Sequence, residues 1–378
     1  MAGIYIHIPF CKHKCNYCNF YSLASTRYMD QVANAIVGEI IQRKDYLEGQ
    51  NVETIYFGGG TPSLIETSDI ERILDAVISH FKVERGAEIT LEANPDDLIP
   101  EKLAALKKAG INRFSIGIQS FRQEDLDFLS RTHSSAQVTQ CITDTQKAGF
   151  HNLSIDLIYG IPTLTDEGWE ENLRKAISFG IPHISAYSLT VENKTPLEHM
   201  IRKGKMKPVD ENLSLSQYHI LTRLMKENGY EHYEVSNFCL PGEYSRHNTA
   251  YWQGKHYLGL GPSAHSYNGT SRCWNVANLA NYIETVNAGK VKSEQEILNP
   301  TTQLNEYIMT SLRTMWGCDL VEVKRKFGMQ IAENLLLDAL TFIESKQMIY
   351  REGKLVLTPE GRLFADGISS QLFGEEET

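Results

Sequence analysis

Three observations predict an α/β fold, a partial barrel of six β/α units followed by a smaller, mostly helical C-terminal domain. In the first half of the 378-residue chain, short β-rich runs alternate with segments of helical period. Polar residues stand at or just beyond the carboxyl ends of several different runs. After about residue 195 the alternation stops, and the remainder reads as helices and one hairpin.

The strands are expected at 4–8, 54–57, 88–91, 113–118, 153–159 and 183–189. Between them, 29–43 places Val32, Ile36, Ile40 and Ile41 on one face. The stretch 70–81 repeats Ile70, Ile73, Leu74, Val77, Ile78 and Phe81; Leu103, Leu106 and Ala109 follow, then 137–148. Successive strand–helix units imply parallel strands with right-handed crossovers. A doubly wound open sheet satisfies this too, but it concentrates ligands at one switch point. Here the polar positions are spread: the Cys11 loop after the first run, Gly58-Gly59-Gly60-Thr61 after the second, Glu92, Gln119, Asp156, and Tyr187 to Thr190. A partial (β/α)6 TIM-like barrel gathers them around one mouth.

Residues 198–204 and 210–229 then read as helical. The stretch 245–269, dense in aromatics, His, Asn and Gly, fits neither a helix nor a regular strand and is expected to be ordered by its packing. Helical patterns at 305–315, 320–327 and 331–346 and a hairpin at 348–361, with Glu352-Gly353 at its turn, give the order of a winged-helix-like domain. The expected division is a barrel over 1–235, a connecting segment over 236–290, and the winged-helix-like domain over 291–378. The acidic tail at 374–378 reads as a solvated terminus.

A net charge of −10 disfavours a surface built to neutralise phosphates, so nucleic acid is not an expected partner. No apolar run reaches the ~18 residues of a spanning helix. The start of the chain lacks the pattern of a signal peptide, so a cytoplasmic location is expected. Of seven cysteines, Cys141, Cys239, Cys273 and Cys318 are scattered, which does not resemble a disulfide framework.

The other three, Cys11, Cys15 and Cys18, sit in CKHKCNYC directly after the first strand. A disulfide takes two sulfurs, and a tetrahedral zinc site takes four ligands. An iron–sulfur cubane is usually held by four thiolates, so three leave one iron open to an external chelator. A compact loop with CxxxCxxC spacing can wrap three corners of a cube. A zinc site completed by His13 or a remote cysteine, or a set of reactive thiols, remains an alternative. Gly58 to Gly60 exceed what a tight turn needs and are expected to let backbone groups approach a ligand. They form neither a dinucleotide fingerprint nor a P-loop. Glu92 and Asp156 each interrupt an apolar strand end, where a charge needs a partner.

The block YIHIPFCKHKCNYCNF resembles the opening of the radical S-adenosylmethionine (SAM) enzymes of the coproporphyrinogen dehydrogenase-like branch. YFGGGTPSL at 56–64, TLEANPDD at 90–97, RFSIGIQSF at 113–121, LSRTH at 129–133 and SIDLIYGIP at 154–162 extend the resemblance over nearly the whole barrel. It implies a radical SAM barrel in which Cys11, Cys15 and Cys18 hold a [4Fe–4S] cluster and SAM chelates the unique iron. It assigns Gly59, Gly60 and Thr61 to the SAM amino group. Glu92, Gln119, Arg131 and Asp156 match positions that hold its ribose and charged ends, and Thr190 a backbone contact to the nucleoside. Tyr5 and Tyr17 match positions touching SAM or its adenine, and plain packing would account for them equally.

Two groups of this branch share the barrel: the oxygen-independent coproporphyrinogen dehydrogenases, which decarboxylate two propionates, and the HemW-type heme chaperones. The first has a fourth cysteine two positions past the third, where this chain has Phe20. It also has an N-terminal extension, whereas this chain begins four residues before Tyr5. Finally, HNTAYW at 247–252 resembles the HNxxYW heme signature of the chaperones. The second group is therefore expected, with His247 as heme ligand and Tyr251 and Trp252 flanking the porphyrin; a packed, hydrogen-bonded His247 is the alternative. The partners this implies are heme and apo-heme proteins such as respiratory enzymes, membrane-bound ones included, and a homodimer is compatible with it. Whether SAM is turned over is left open.

Overall fold

The computed structural model of the protein describes residues 2–374; residues 375–378 of the acidic tail lie outside them. Six strands, β1 (Ala2–Ile8), β2 (Asn51–Gly59), β3 (Lys82–Ala93), β4 (Arg113–Gln119), β5 (Leu153–Tyr159) and β6 (His183–Ser188), lie side by side in chain order, all parallel. Helices Met29–Gln42, Thr67–His80, Pro100–Lys108, Ser135–Lys147 and Asp166–Ser178 make the crossovers. The helix at Ser135 starts where it does because Ser134 and Gln137 form a reciprocal capping box. β1 and β6 do not pair with each other, so the barrel is partial.

The strand sequences alternate, and the alternation sorts the two faces. Ile4, Ile6, Ile55, Phe57, Leu91, Phe114, Ile116, Ile155 and Ile184 point outward and are fully buried. The intervening residues line the inner face in register: Tyr5 beside Tyr56, then Thr90 and Arg113, and further along Glu92, Ser115, Ser154 and His183. A polar lumen inside an apolar shell follows from this two-residue period.

The segment 236–290 is not a connector. β7 (Glu231–Glu234) and β8 (Asn237–Cys239) extend the sheet beyond β6, with β8 antiparallel to it. β9 (His256–Leu260) pairs parallel with β1, and β10 (His265–Tyr267), β11 (Ser271–Asn275) and β12 (Ser293–Ile297) follow antiparallel, giving one 12-stranded sheet among the described residues. The glycines that obscured β9 in the sequence have a role in it. A side chain at Gly259 would meet the His265 carbonyl at 2.0 Å, so only glycine lets β9 and β10 close up. HNTAYW lies on the helix Arg246–Trp252, capped by Ser245.

The C-terminal part has its own core, built on Leu304, Ile308, Leu312, Val323, Leu335 and Leu355. Helices Pro300–Leu312, Leu320–Phe327 and Met329–Glu344 pack with a small sheet of β13 (Cys318–Asp319), β14 (Met348–Arg351) and β15 (Lys354–Leu357). Glu352 and Gly353 both have positive φ at the hairpin turn. This part is fastened to the main sheet by Arg313, which donates to Glu234 at 3.2 Å and to Asp366 at 2.6 Å, and by Arg272, which reaches Glu306 at 3.0 Å. The helix Pro300–Leu312 thereby stands over the inner face of β9 to β11.

Candidate functional site

The loop after β1 carries Cys11, Cys15 and Cys18, all free and half-buried. It is tied down by groups other than its thiols. Cys11 N donates to Leu23 O at 3.0 Å, Asn16 Nδ2 to Phe128 O at 2.7 Å, and Lys12 bridges to Asp96 at 2.8 Å. Burial raises the Cys18 pKa. Among the described residues no three His, Cys, Asp or Glu side chains are gathered around one ion position.

Arg131 lies under this loop. Its Nη1 is 3.3 Å from Cys15 Sγ and 3.5 Å from the Tyr17 hydroxyl, and its Nη2 donates to Asn94 Oδ1 at 2.6 Å and to Gly117 O at 2.8 Å. Among the described residues, its Nε and Asn16 Oδ1 of the cysteine loop are buried without partners. A guanidinium beside the thiols suits an anionic cluster, and the two unsatisfied groups suit a polar ligand beside it.

The β2 turn meets the loop from the other side. Gly60 N donates to Ile8 O and Thr61 N to Phe10 O. A side chain at Gly60 would come within 2.5 Å of Phe10 O, and one at Gly59, where φ is +115°, within 2.7 Å of the His7 ring. The glycines thus first serve the approach of the cysteine loop itself, a role the sequence reading gave to a ligand alone.

Glu92 Oε1 accepts from Tyr56 at 2.8 Å and Oε2 from Gly59 N at 3.1 Å. Burial lifts its pKa to about 7, opposed by the Tyr56 bond and raised further by Asp156. Asp156 accepts from Ser115, and its burial lifts its pKa to about 6. Gln119 closes β4 in the left-handed region, φ +64°, a conformation seldom held by a non-glycine outside a constrained site. Thr190 lies exposed two residues past β6. Tyr5, Glu92 and Asp156 share the lumen, and Tyr17, Arg131, Gly59, Gly60 and Thr61 surround the cysteine loop. Sequence reasoning missed Tyr56, Ser115 and Ser185, which stands beside Asp156 on β6, although the alternation in TIYFG, RFSIG and HISAY marks that inner face.

The raised carboxyl pKa values make a testable statement. Folded Glu92 keeps its proton between its ordinary value of 4.5 and about 7, where the unfolded chain has lost it. Its contribution to stability is full below the unfolded value and is lost as pH rises through about 7. Glu92→Gln should therefore flatten the loss of stability seen by urea unfolding between about pH 5 and about pH 7.5. An unchanged slope would refute the assignment.

Along the inner face from β1 to β11 lies a cavity of about 870 Å³. Tyr5 and His7 of β1 form one edge, and Phe20 and Tyr21, directly past the cysteine loop, form the rim. Tyr251, Trp252, Tyr257 and Tyr267 supply aromatic wall, and Tyr307 and Met309 of the C-terminal part close the far side. Phe20 remains 66% exposed.

His247 does not line this cavity. It is 2% exposed, its Nδ1 is bonded to Thr54 Oγ1 at 2.7 Å and its Nε2 to the Tyr251 hydroxyl at 2.8 Å, and its ring stacks on Tyr56 at 4.9 Å. Burial lowers its pKa to about 3, so the ring is neutral. Glu88 accepts from the backbone N–H groups of Arg246 and His247, which seats the first turn of the helix in the lumen. The motif histidine is a packed, hydrogen-bonded residue here, while Tyr251 and Trp252 do face the cavity.

A partial parallel barrel with a three-cysteine loop after its first strand and a glycine turn after its second defines a radical SAM protein. The profile of the Radical SAM superfamily matches residues 5–176, and that of the HemN C-terminal domain matches residues 298–364. The chain is 33% identical over 358 residues to a protein named heme chaperone HemW from Lactococcus lactis, covering 94% of this chain and 93% of that one. It is 33% identical over 380 residues to the heme chaperone HemW of Bacillus subtilis, covering 99% and 100%. The solved structure of coproporphyrinogen III oxidase (HemN) from Escherichia coli superposes with a TM-score of 0.85 at 21% identity, over 98% of this chain and 90% of that one. The chain belongs to the HemW family of radical SAM proteins.

Proposed function

We propose that the protein binds heme as cargo beside a [4Fe–4S] cluster and SAM, and delivers it to apo-heme proteins. The observation that carries this reading is the aromatic cavity opening from the rim of the cysteine loop. Its volume, about 870 Å³, falls in the range of roughly 300–1,000 Å³ typical of ligand clefts. Phe20, at the position where the dehydrogenases have a fourth cysteine, presents an aromatic ring to it. The kinship with proteins named as heme chaperones supports the same reading.

In this proposal Cys11, Cys15 and Cys18 hold the cluster, and Arg131 offsets its charge. Gly59, Gly60 and Thr61 offer backbone to the amino group of SAM, Glu92, Gln119, Arg131 and Asp156 hold its ribose and charged ends, and Tyr5, Tyr17 and Thr190 lie against the nucleoside. A cluster with SAM on its open iron supplies one-electron chemistry. The residues of the chain bind, orient and shield. Glu92, with a pKa near neutrality, ionises more readily beside a sulfonium than in the free protein. Tyr251 and Trp252 cover one part of the porphyrin. Recipients include membrane-bound heme proteins reached by transient contact from the cytoplasm; among the described residues no helix is long and apolar enough to cross a membrane. The division into barrel and winged-helix-like domain assigns cluster and SAM to the first and a cavity wall to the second.

The test is a heme titration of the anaerobically reconstituted protein, run beside an assay with coproporphyrinogen III, SAM and a reductant. About one heme per chain, transferable to an apo-heme protein, is the expected result. Formation of protoporphyrinogen IX without stable heme binding would instead make the protein a dehydrogenase.

A further inference from the structure

We propose that the side chain that ligates heme iron is His265, the first residue of β10, and not the histidine of the HNxxYW motif. This rests on the heme-binding reading above and assigns the residue that reading lacks.

An axial imidazole must offer a free nitrogen lone pair toward the ligand. Four histidines stand in or near the cavity, and hydrogen bonding separates them. His247 is buried outside the cavity with both ring nitrogens engaged. His7 lines it, but its Nε2 donates to Tyr21 O at 3.0 Å, which leaves its Nδ1 lone pair to accept from the Tyr5 hydroxyl at 3.1 Å. His256 accepts from Gln50 Nε2 on its Nδ1 at 2.6 Å, which leaves its proton on Nε2. His265 lines the cavity, is exposed, and makes no side-chain hydrogen bond among the described residues.

Its backbone is firmly held. Gly259 N donates to Ser266 Oγ at 2.9 Å, and the bare Cα of Gly259 admits the His265 carbonyl. The ring lies nearly parallel to Trp274, its partner across the β10–β11 pair, at 5.9 Å and 25°. Stacking fixes the ring plane and leaves its edge nitrogens open. By strand alternation His265 and Tyr267 of β10 project to the same side, as do Arg272 and Trp274 of the paired strand β11. Tyr267 and Arg272 both line the cavity, as do Tyr257 and Phe20. A flat apolar ligand would cover the exposed ring of Phe20, and a coordinating metal in it would meet His265. Partial desolvation of the ring, with Arg272 adding to it, lowers the His265 pKa. In HNxxYW the histidine then has a positioning role: it bonds the hydroxyl of Tyr251, which together with Trp252 forms the wall.

The full-length, cluster-reconstituted protein is titrated with hemin and followed by optical and resonance Raman spectra. His265→Ala is expected to weaken binding about tenfold or more and to alter the Soret band and the iron–imidazole signature, with added imidazole restoring the latter. His265→Cys should convert the spectrum to that of a thiolate-ligated heme, a positive readout that a merely structural role would not produce. His247→Asn, which removes a positioning residue and no ligand, should lower hemin affinity through Tyr251 while keeping the wild-type iron–imidazole signature. Cluster content and thermal unfolding of each variant report folding, and His265→Gln replaces any variant that fails it. Wild-type spectra in both His265 variants, with loss of the iron–imidazole signature in His247→Asn, would overturn the assignment while leaving heme binding intact. Failure of the wild-type protein to bind hemin would overturn the heme reading and this assignment with it.

Discussion

Replacing Cys11, Cys15 or Cys18 by alanine is expected to reduce reconstituted iron and sulfide from about four of each per chain to near zero. In the proposed site each thiolate anchors one corner, and the other four cysteines lie too deep elsewhere to replace one. Cys141, Cys239, Cys273 and Cys318 are buried in other parts of the molecule, at most 8% exposed. The loop itself should survive, because it is held by Lys12, Asn16 and the backbone bonds of Cys11 and Leu23, none of which uses a thiol. Loss of cluster with an unchanged circular dichroism spectrum is therefore the predicted signature. Full iron and sulfide in a triple-alanine variant would remove the basis for the functional reading. Heme binding in the same variants would report whether the cavity works without its neighbouring cofactor.

Glu39→Ala should cost about 3–5 kcal/mol in urea unfolding, the largest stability effect of any single substitution considered. Glu39 sits in the helix Met29–Gln42 with no exposed surface. Its Oε1 accepts from Asn275 at 2.7 Å and lies 3.2 Å from Arg43 Nε; its Oε2 accepts from Gly261 N at 2.8 Å and from Tyr282 at 2.7 Å. One carboxylate thus joins the first crossover helix to the turn after β9, to β11 and to the helix Leu279–Asn287. Removing it leaves the buried Gly261 N–H and Tyr282 hydroxyl without their acceptor and takes the countercharge from Arg43, which among the described residues keeps only Asn275 Oδ1 at 2.9 Å as an oxygen partner. Glu39→Gln should cost less, since its amide oxygen can still accept some of these bonds. Because Gly261 begins the turn that leads into β10 and His265, the alanine variant should also lose hemin affinity while keeping its cluster. A cost under about 1 kcal/mol would show that the extended sheet is anchored by other contacts.

The parts of the fold legible in the sequence were those made from local patterns. Parallel β/α units announce themselves through periods of 2 and 3.6, and the predicted helices at 29–43 and 137–148 differ from Met29–Gln42 and Ser135–Lys147 by two residues or fewer at each end. The hairpin at 348–361 was legible because Glu-Gly supplies the positive φ its turn demands. β9 to β12 were not. β9 pairs with β1, some 250 residues earlier in the chain, and β12 is exposed along its whole length, so it carries no apolar pattern. Gly259 weakens the strand signal of β9 and is also the residue that lets β10 approach.

By itself, the sequence determined the class of chemistry. Three thiols in one loop, a glycine turn and carboxyls at strand ends are local features, and their spacing along the chain is what positions them around the mouth of a barrel. Tertiary structure alone decided which histidine can meet a ligand. His247 is closed off by Thr54, which lies 193 residues earlier. His265 is left open because its strand neighbour, Trp274, holds it by stacking and takes neither nitrogen. A side chain's availability depends on the hydrogen bonds it has already made, and those partners come from distant strands that only the folded chain brings together.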